Sequence, residues 1–276
     1  MARRNFAQIL KAANVDIRRE YDRLYANFFL HEVYNVAGRL QSLREYCGSQ
    51  FGRFPFRGTC VNLDDFDDFY GFSFEKDPEY FDLDYLVSFC EYTYNLAVHS
   101  ATPNCFLPSY PTFIDQQPAF FVDQVMRVVD TIGYVITQES PAANCIIIVP
   151  KDPATIAVAE ISEEKIAYKI VEYNHYSMRG DLVRKLSTLK LLADEIEPRR
   201  KELKGISGSV ESELFRMMDK FVRHNNKDNA FIAAMSPNEI ESTYDDIYQM
   251  WLLAMLELDN VDRKKRAKEL LGKINA

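Results

Sequence analysis

The stretch Ser236-Pro237-Asn238-Glu239-Ile240, continued by Tyr244, Ile247, Tyr248, Trp251, Met255 and Leu258, decides the fold class. A serine followed three residues later by a glutamate forms a capping box, in which each side chain satisfies a backbone amide that the first helical turn leaves unpaired. Pro237 falls at the first helical position, where its missing N–H costs nothing. The apolar residues then recur three and four apart and trace one stripe. This pattern predicts a helix over 237–258 at the centre of a C-terminal bundle, with Trp251, the only tryptophan, in its core.

Working outward, the same period places helices near 153–160, 163–177, 180–203, 208–223 and 262–274. Asp152-Pro153 supplies a cap and a first-turn proline, Gly180 a stop and Asp181 the next cap. Pro198 should kink or divide the helix over 180–203, because it removes an amide donor. Upstream, residues 5–13 read as helix, and a second helix is expected from Asp16 to about Cys47. Its apolar positions are Ile17, Tyr21, Leu24, Tyr25, Phe28, Phe29, Val33, Val36, Leu40 and Leu43, with Gly48 as its stop. Further helices are expected over 83–98 and 118–132. Tyr134-Val135-Ile136-Thr137 and Cys145-Ile146-Ile147-Ile148-Val149 are β-rich and read as a hairpin. Two strands alone are marginal, so this hairpin must pack on helices or find a third strand. The expected architecture is mainly α, a helical bundle with one small β-hairpin near 134–149. Residues 1–150 form an aromatic-rich helical region ending in that hairpin, and 151–276 form a C-terminal helical bundle.

Net charge is −8 and is unevenly spread: residues 64–84 hold nine acids against Lys76. Nineteen of the 36 aromatic residues lie between Phe51 and Phe121. Asp64-Asp65-Phe66-Asp67-Asp68-Phe69-Tyr70 fails as a calcium loop, since Phe69 stands where the tight turn needs glycine. The segment reads as irregular, its rings packed inward and its carboxylates facing water, with Pro103, Pro108, Pro111 and Pro118 making a non-helical linker after it. The five cysteines, Cys47, Cys60, Cys90, Cys105 and Cys145, include no CxxC pair, so neither a structural metal nor a disulfide is expected. No cofactor-binding signature is present: GxGxxG, P-loop, GxSxG and HExxH are all absent. No apolar run approaches the length of a bilayer span, which points to a soluble, cytoplasmic chain without a membrane partner.

One segment comes closest to a functional signature: Phe221-Val222-Arg223-His224-Asn225-Asn226-Lys227-Asp228-Asn229. An ordinary inter-helix loop with capping asparagines has this composition too. Arg223 and His224 give the segment a loose resemblance to HEPN-type domains, helical bundles of bacterial toxin–antitoxin and phage-defence systems. In their ribonuclease members an arginine precedes a polar residue and, a few positions on, a histidine, and dimerisation joins two motifs over RNA. The resemblance covers at most about 163–274. Arg223 matches the arginine and His224 the polar residue, while Asp228 and Asn229 stand where the second histidine would fall. The resemblance therefore implies RNA binding as a homodimer without cleavage; were the chain an enzyme, it would be a metal-independent ribonuclease. His175 and Arg179 are four apart and share a helix face if their helix continues that far. They could join Arg223, His224, Asn225 and Asn226 in one polar binding pocket. The basic runs Arg199-Arg200-Lys201 with Lys204, and Arg263-Lys264-Lys265-Arg266 with Lys268 and Lys273, read as phosphate contacts or as solvated helix faces. A second class of function is an interaction module that docks a partner protein through the acidic aromatic segment 51–121. A third, with least support, is a small-molecule sensor using the hairpin.

Overall fold

The computed structural model describes residues 15–32, 34–36, 38–101, 117–138, 145–223 and 230–274. They form two compact units divided between Lys151 and Asp152. The expected helix over 5–13 lies outside the described residues.

The first unit begins with α1 (Ile17–Tyr25), capped by the Asp16 carboxylate. The helix expected to run on to Cys47 does not: it widens into a π turn over Ala26–Leu30 and stops at His31. Strands β1 (Tyr34–Val36) and β2 (Arg39–Gln41) follow as a second, short hairpin. Val36 pairs with Arg39, leaving a two-residue turn in which Gly38 takes φ 87°, a conformation cheap only for glycine. A fresh helix, α2 (Leu43–Gln50), then starts from a full capping box between Ser42 and Glu45. The apolar period crosses this break because Tyr21 and Leu24 of α1, Phe28 of the π turn and Leu43 of the next helix are all buried.

The segment expected to be irregular contains a helix, α3 (Leu63–Tyr70), capped by Asn62 and ended by Gly71 in the left-handed conformation. Next come α4 (Leu83–Ala101) and α5 (Gln117–Thr131), whose buried rings close the core: Tyr21 lies 4.9 Å from Phe89 and Phe28 5.5 Å from Phe121. The expected hairpin is present as β3 (Tyr134–Gln138) and β4 (Ile146–Pro150), antiparallel with Val135 opposite Val149. It finds no third strand among the described residues; α4 serves instead. The Asn95 side chain receives the Ile146 amide at 2.9 Å and donates to the Ile146 carbonyl at 3.1 Å, and Glu91 receives the Ile148 amide at 2.7 Å. Alternate residues of a strand point to the same edge. The next position on that edge is Pro150, which has no amide to satisfy. Four residues of helix rise about 6 Å and two residues of strand about 6.8 Å, which lets Glu91 and Asn95 serve alternate positions of β4.

The second unit contains no strand among its described residues. It comprises α6 (Pro153–Ile161), α7 (Glu164–Glu172), α8 (Leu182–Ile196), α9 (Arg200–Ile206), α10 (Gly208–Met218), the short α11 (Ala230–Ala233) and α12 (Pro237–Ile274). Asp152 caps α6 through the Ala154 amide and the Thr155 hydroxyl. Pro198 divides the helix over 180–203 as expected, with a 3₁₀ turn over Glu197–Arg199 between α8 and α9. The helices expected over 237–258 and 262–274 are one continuous element of 38 residues. Its first part is the central helix of the unit, contacting α6, α8, α9 and α10. Trp251 is fully buried and donates its indole N–H to the Leu192 carbonyl at 2.8 Å.

A buried polar network is set into this apolar core. The Lys185 ammonium lies 2.7 Å from both Glu241 and Asp245, and the Tyr173 hydroxyl donates to Asp245 at 3.2 Å. Tyr173 stacks on Tyr248 at 4.1 Å, and Tyr248 donates to the Ile170 carbonyl at 2.7 Å. Burial pushes the Glu241 carboxyl up, but Lys185 and the Gly180 amide outweigh it and hold it below the ordinary range. Glu172 is held low in the same way, with Lys169 and Arg184 outweighing its burial.

Candidate functional site

Helix α3 has a core face and a water face fixed by its eight residues. At 100° per residue, Leu63, Phe66, Asp67 and Tyr70 fall on one side, while Asp65, Asp68 and Phe69 fall on the other. Leu63 and Phe66 are buried accordingly. Arg44 of α2 holds the inner side, bonding Asp64 at 2.8 Å and Asp67 at 2.5 Å. The Tyr92 hydroxyl donates to Asp67 at 2.7 Å. Burial raises the Asp67 carboxyl above its ordinary value, against the opposing pull of Tyr92 and Arg44. The loop after α3 is pinned as firmly: Arg18 donates to the Lys76 carbonyl at 2.8 Å and to Asp77 at 2.7 Å, and the Tyr21 hydroxyl donates to the Glu75 carbonyl at 2.5 Å.

On this support stand rings that do not pack inward. Phe69 is 72% exposed and Tyr80 75%, and Val61 and Tyr70 are exposed as well. The expectation that the rings of this segment turn inward holds for Phe51, Phe54 and Phe66 and fails for these. A ladder of ring contacts runs beneath the surface from Phe69 to Tyr70 (4.9 Å), Phe72 (6.5 Å), Phe74 (6.4 Å), Tyr85 (5.6 Å) and Phe81 (5.6 Å). Asp65, Asp68, Glu75 and Glu79 of the same segment are exposed. Its chemistry is that of a fixed anionic surface carrying aromatic faces, which suits a lysine or arginine side chain through ion pairing and cation–π contact.

Comparison with known proteins finds no matching family, curated relative or solved structure.

The residues singled out in the sequence are placed differently. Arg223 ends a π turn, Asp219–Arg223, that closes α10. It is three-quarters buried and engaged at both terminal nitrogens: it pairs with Glu197, lies 3.4 Å from Asp219, and donates to the Ala193 carbonyl at 3.2 Å. Arg223 and Arg200 also lie against the Phe215 ring, at 6.0 and 4.3 Å. His224, Asn225 and Asn226 lie outside the described residues. His175 does not share a helix face with Arg179, because α7 ends at Glu172 and both residues have extended backbone. The buried His175 ring caps a single 3₁₀ turn, Tyr176–Met178, with its Nδ1 2.7 Å from the Ser177 hydroxyl. Arg179 is exposed. The Ser177 hydroxyl is held by Arg184, in the first turn of α8, whereas Arg223 grips Ala193 and Glu197 at the other end of that helix. Nine residues of helix separate Arg184 from Ala193, about 13 Å, so the structure does not bring His175 to Arg223.

The two arginines of the first basic run are likewise engaged: Arg199 bonds Glu202 and Asp262 at 3.0 and 3.1 Å, and Arg200 bonds Glu211 at 2.6 Å. Cys47, Cys60 and Cys90 are buried, and burial pushes the Cys47 thiol up to about 12. Among the described residues no group of three His, Cys, Asp or Glu side chains is placed to hold a metal ion, and no helix is long and apolar enough to cross a membrane. Sequence reasoning missed Phe69 and Tyr80 as outward groups. Part of the signal for Phe69 was present: Asn62 and Gly71 bracket one short helix, and the helical period sets Phe69 at the edge of its apolar face, 60° from Phe66 and 120° from Leu63.

Proposed function

We propose that this chain is a non-catalytic interaction module that docks a cationic segment of a partner protein on the acidic aromatic face of its first unit. The observation that carries the reading is the exposed Phe69 ring on a helix that also exposes Asp64, Asp65, Asp68 and Tyr70, with Arg44 and Arg18 holding the helix and the loop after it. A surface held this firmly is ordered before binding, so little entropy is lost when a partner arrives. Arg223, the residue that a phosphate-binding reading needs, is already committed to two carboxylates and a carbonyl.

The test is the affinity of the full chain for a fluorescent, lysine- and arginine-rich peptide about twelve residues long, with a glutamate-rich peptide as control. The cationic peptide should bind, and raised salt should weaken it. Replacing Phe69 with Ser together with Asp65→Lys and Asp68→Lys should lower the affinity by at least about tenfold, equivalent to about 1.4 kcal/mol. Equal affinity in the wild type and the variant overturns the reading. So does purified protein that retains RNA, released by Arg223→Ala but not by the face variant.

A further inference from the structure

Beyond Asp262 the last part of α12 is no longer buried against its own unit. From Arg263 to Ile274 every described residue is exposed, including Leu270 at 60%, Leu271 at 57% and Ile274 at 69%. Twelve residues of helix make an arm about 18 Å long. At 100° per residue, Ala267, Leu270, Leu271 and Ile274 form one stripe. Lys264 and Lys268 flank it on one side, Arg266 and Lys273 on the other, and Glu269 lies on the far side. Residues 263–274 carry six basic side chains and one acidic one, a net charge of +5. No carboxylate among the described residues pairs with Lys264, Lys268 or Lys273, whereas Arg263 and Arg266 reach Asp259 and Lys265 reaches Asp262.

An apolar stripe rimmed by cations calls for apolar groups rimmed by carboxylates. The first unit presents such groups: exposed Phe69, Tyr70 and Tyr80 within a segment, 64–84, that holds nine acids against one lysine, with exposed Val61 just before it. We propose that the arm of one copy docks on the acidic aromatic face of a second copy, so that the chain associates with itself through unlike surfaces. This rests on the reading of that face as a docking surface. Pairing of two arms with each other is disfavoured, since each carries +5 and like charges would meet along the seam. A nucleic-acid backbone would use the cations and leave the stripe in water. A lipid surface would use both, but the stripe holds only three large apolar residues, which makes a weak anchor.

The experiment is sedimentation velocity on the full chain over a range of concentrations, using two variants altered only at exposed residues. One reverses the arm (Lys264→Glu, Lys268→Glu, Lys273→Glu) and the other reverses the face (Asp65→Lys, Asp68→Lys, Glu79→Lys); circular dichroism checks that each keeps its helices. The wild type should associate as concentration rises, and each variant alone should associate at least about tenfold more weakly. Mixing the two variants should restore association, because an acidic arm then meets a basic face and a basic arm an acidic face. A wild type that stays monomeric up to its solubility limit overturns the proposal, as does association that either reversal leaves unchanged. Capture of a monomeric wild type by phosphatidylserine vesicles, lost on arm reversal, overturns it in favour of a membrane. If the chain stays monomeric while the cationic peptide still binds the face, the docking surface stands and only the self-partner fails.

Discussion

Replacing Lys185 with Met tests whether the polar network in the second unit is held together by charge. The substitution keeps most of the side-chain stem and removes the ammonium. In the wild type that ammonium lies 2.7 Å from Glu241 and 2.7 Å from Asp245, and only 5% of the Lys185 side chain is exposed. Without it, two carboxylates face each other one helical turn apart, and Asp245, 12% exposed, keeps the Tyr173 hydroxyl at 3.2 Å but loses its ion pair. Breaking a buried pair from one side costs about 3–5 kcal/mol, because the remaining charge stays desolvated. That is a large share of the ~5–15 kcal/mol that stabilises a typical domain. The assay is urea unfolding followed by tryptophan fluorescence. Trp251 is the only tryptophan and is buried on the same helix as both carboxylates, so the signal reports on this unit. Lys185→Met should lower the unfolding midpoint by the equivalent of about 3–5 kcal/mol, and adding Asp245→Asn should recover a good part of the loss. If Lys185→Met unfolds within about 1 kcal/mol of the wild type, or if the double variant is no more stable than the single one, the charge argument is wrong.

Two further outcomes follow from the ion pairs. Arg223→Ala should lower the melting temperature, with a loss of about 2–3 kcal/mol, because it strips one carbonyl and two carboxylates of their donor at three-quarters burial; an unchanged melt would show the guanidinium to be spare. Acid should weaken the second unit: Glu172 and Glu241 have folded values below the ordinary 4.5, so their contribution is complete above that pH and is lost as pH falls through their lowered values. Asp67 in the first unit is shifted the other way, so the fluorescence of Trp251, not total helicity, is the readout, and a Trp251 melt flat from pH 6 to 3 would refute the assignment.

Where structure is decided by neighbours in the chain, the sequence was readable. The Ser236–Glu239 box, the Asp152 and Asp181 caps and the break at Pro198 all act within one turn, and all stand where expected. The long helix drawn from Asp16 to Cys47 shows how periodicity misleads: Tyr21, Phe28 and Leu43 are all buried, so their spacing persists across a hairpin. Ser42-x-x-Glu45 and Gly38 were the local signals that a new element begins. The site was harder to read. Arg223 looked available in the sequence because Glu197 and Ala193, which occupy it, lie about thirty residues away. Whether Phe69 faces water depends on Arg44 fixing the roll of α3, a contact across twenty or more residues.

The bonds from Glu91 and Asn95 to β4 bear on how this chain avoids aggregation. Ile146-Ile147-Ile148-Val149 is uncharged and β-branched throughout, the kind of segment that recruits identical segments from other molecules when its edge is open. Here that edge meets a helix acting as a dummy strand. Two side chains four residues apart imitate the donors and acceptors of a neighbour, and Pro150 offers no amide donor at the third position. An imitation strand cannot be extended, since a helix offers no second edge for another chain to join. The hairpin is thus closed to growth at β4 without the cost of building a larger sheet, and its safety rests on two polar residues rather than on the isoleucines that make it dangerous.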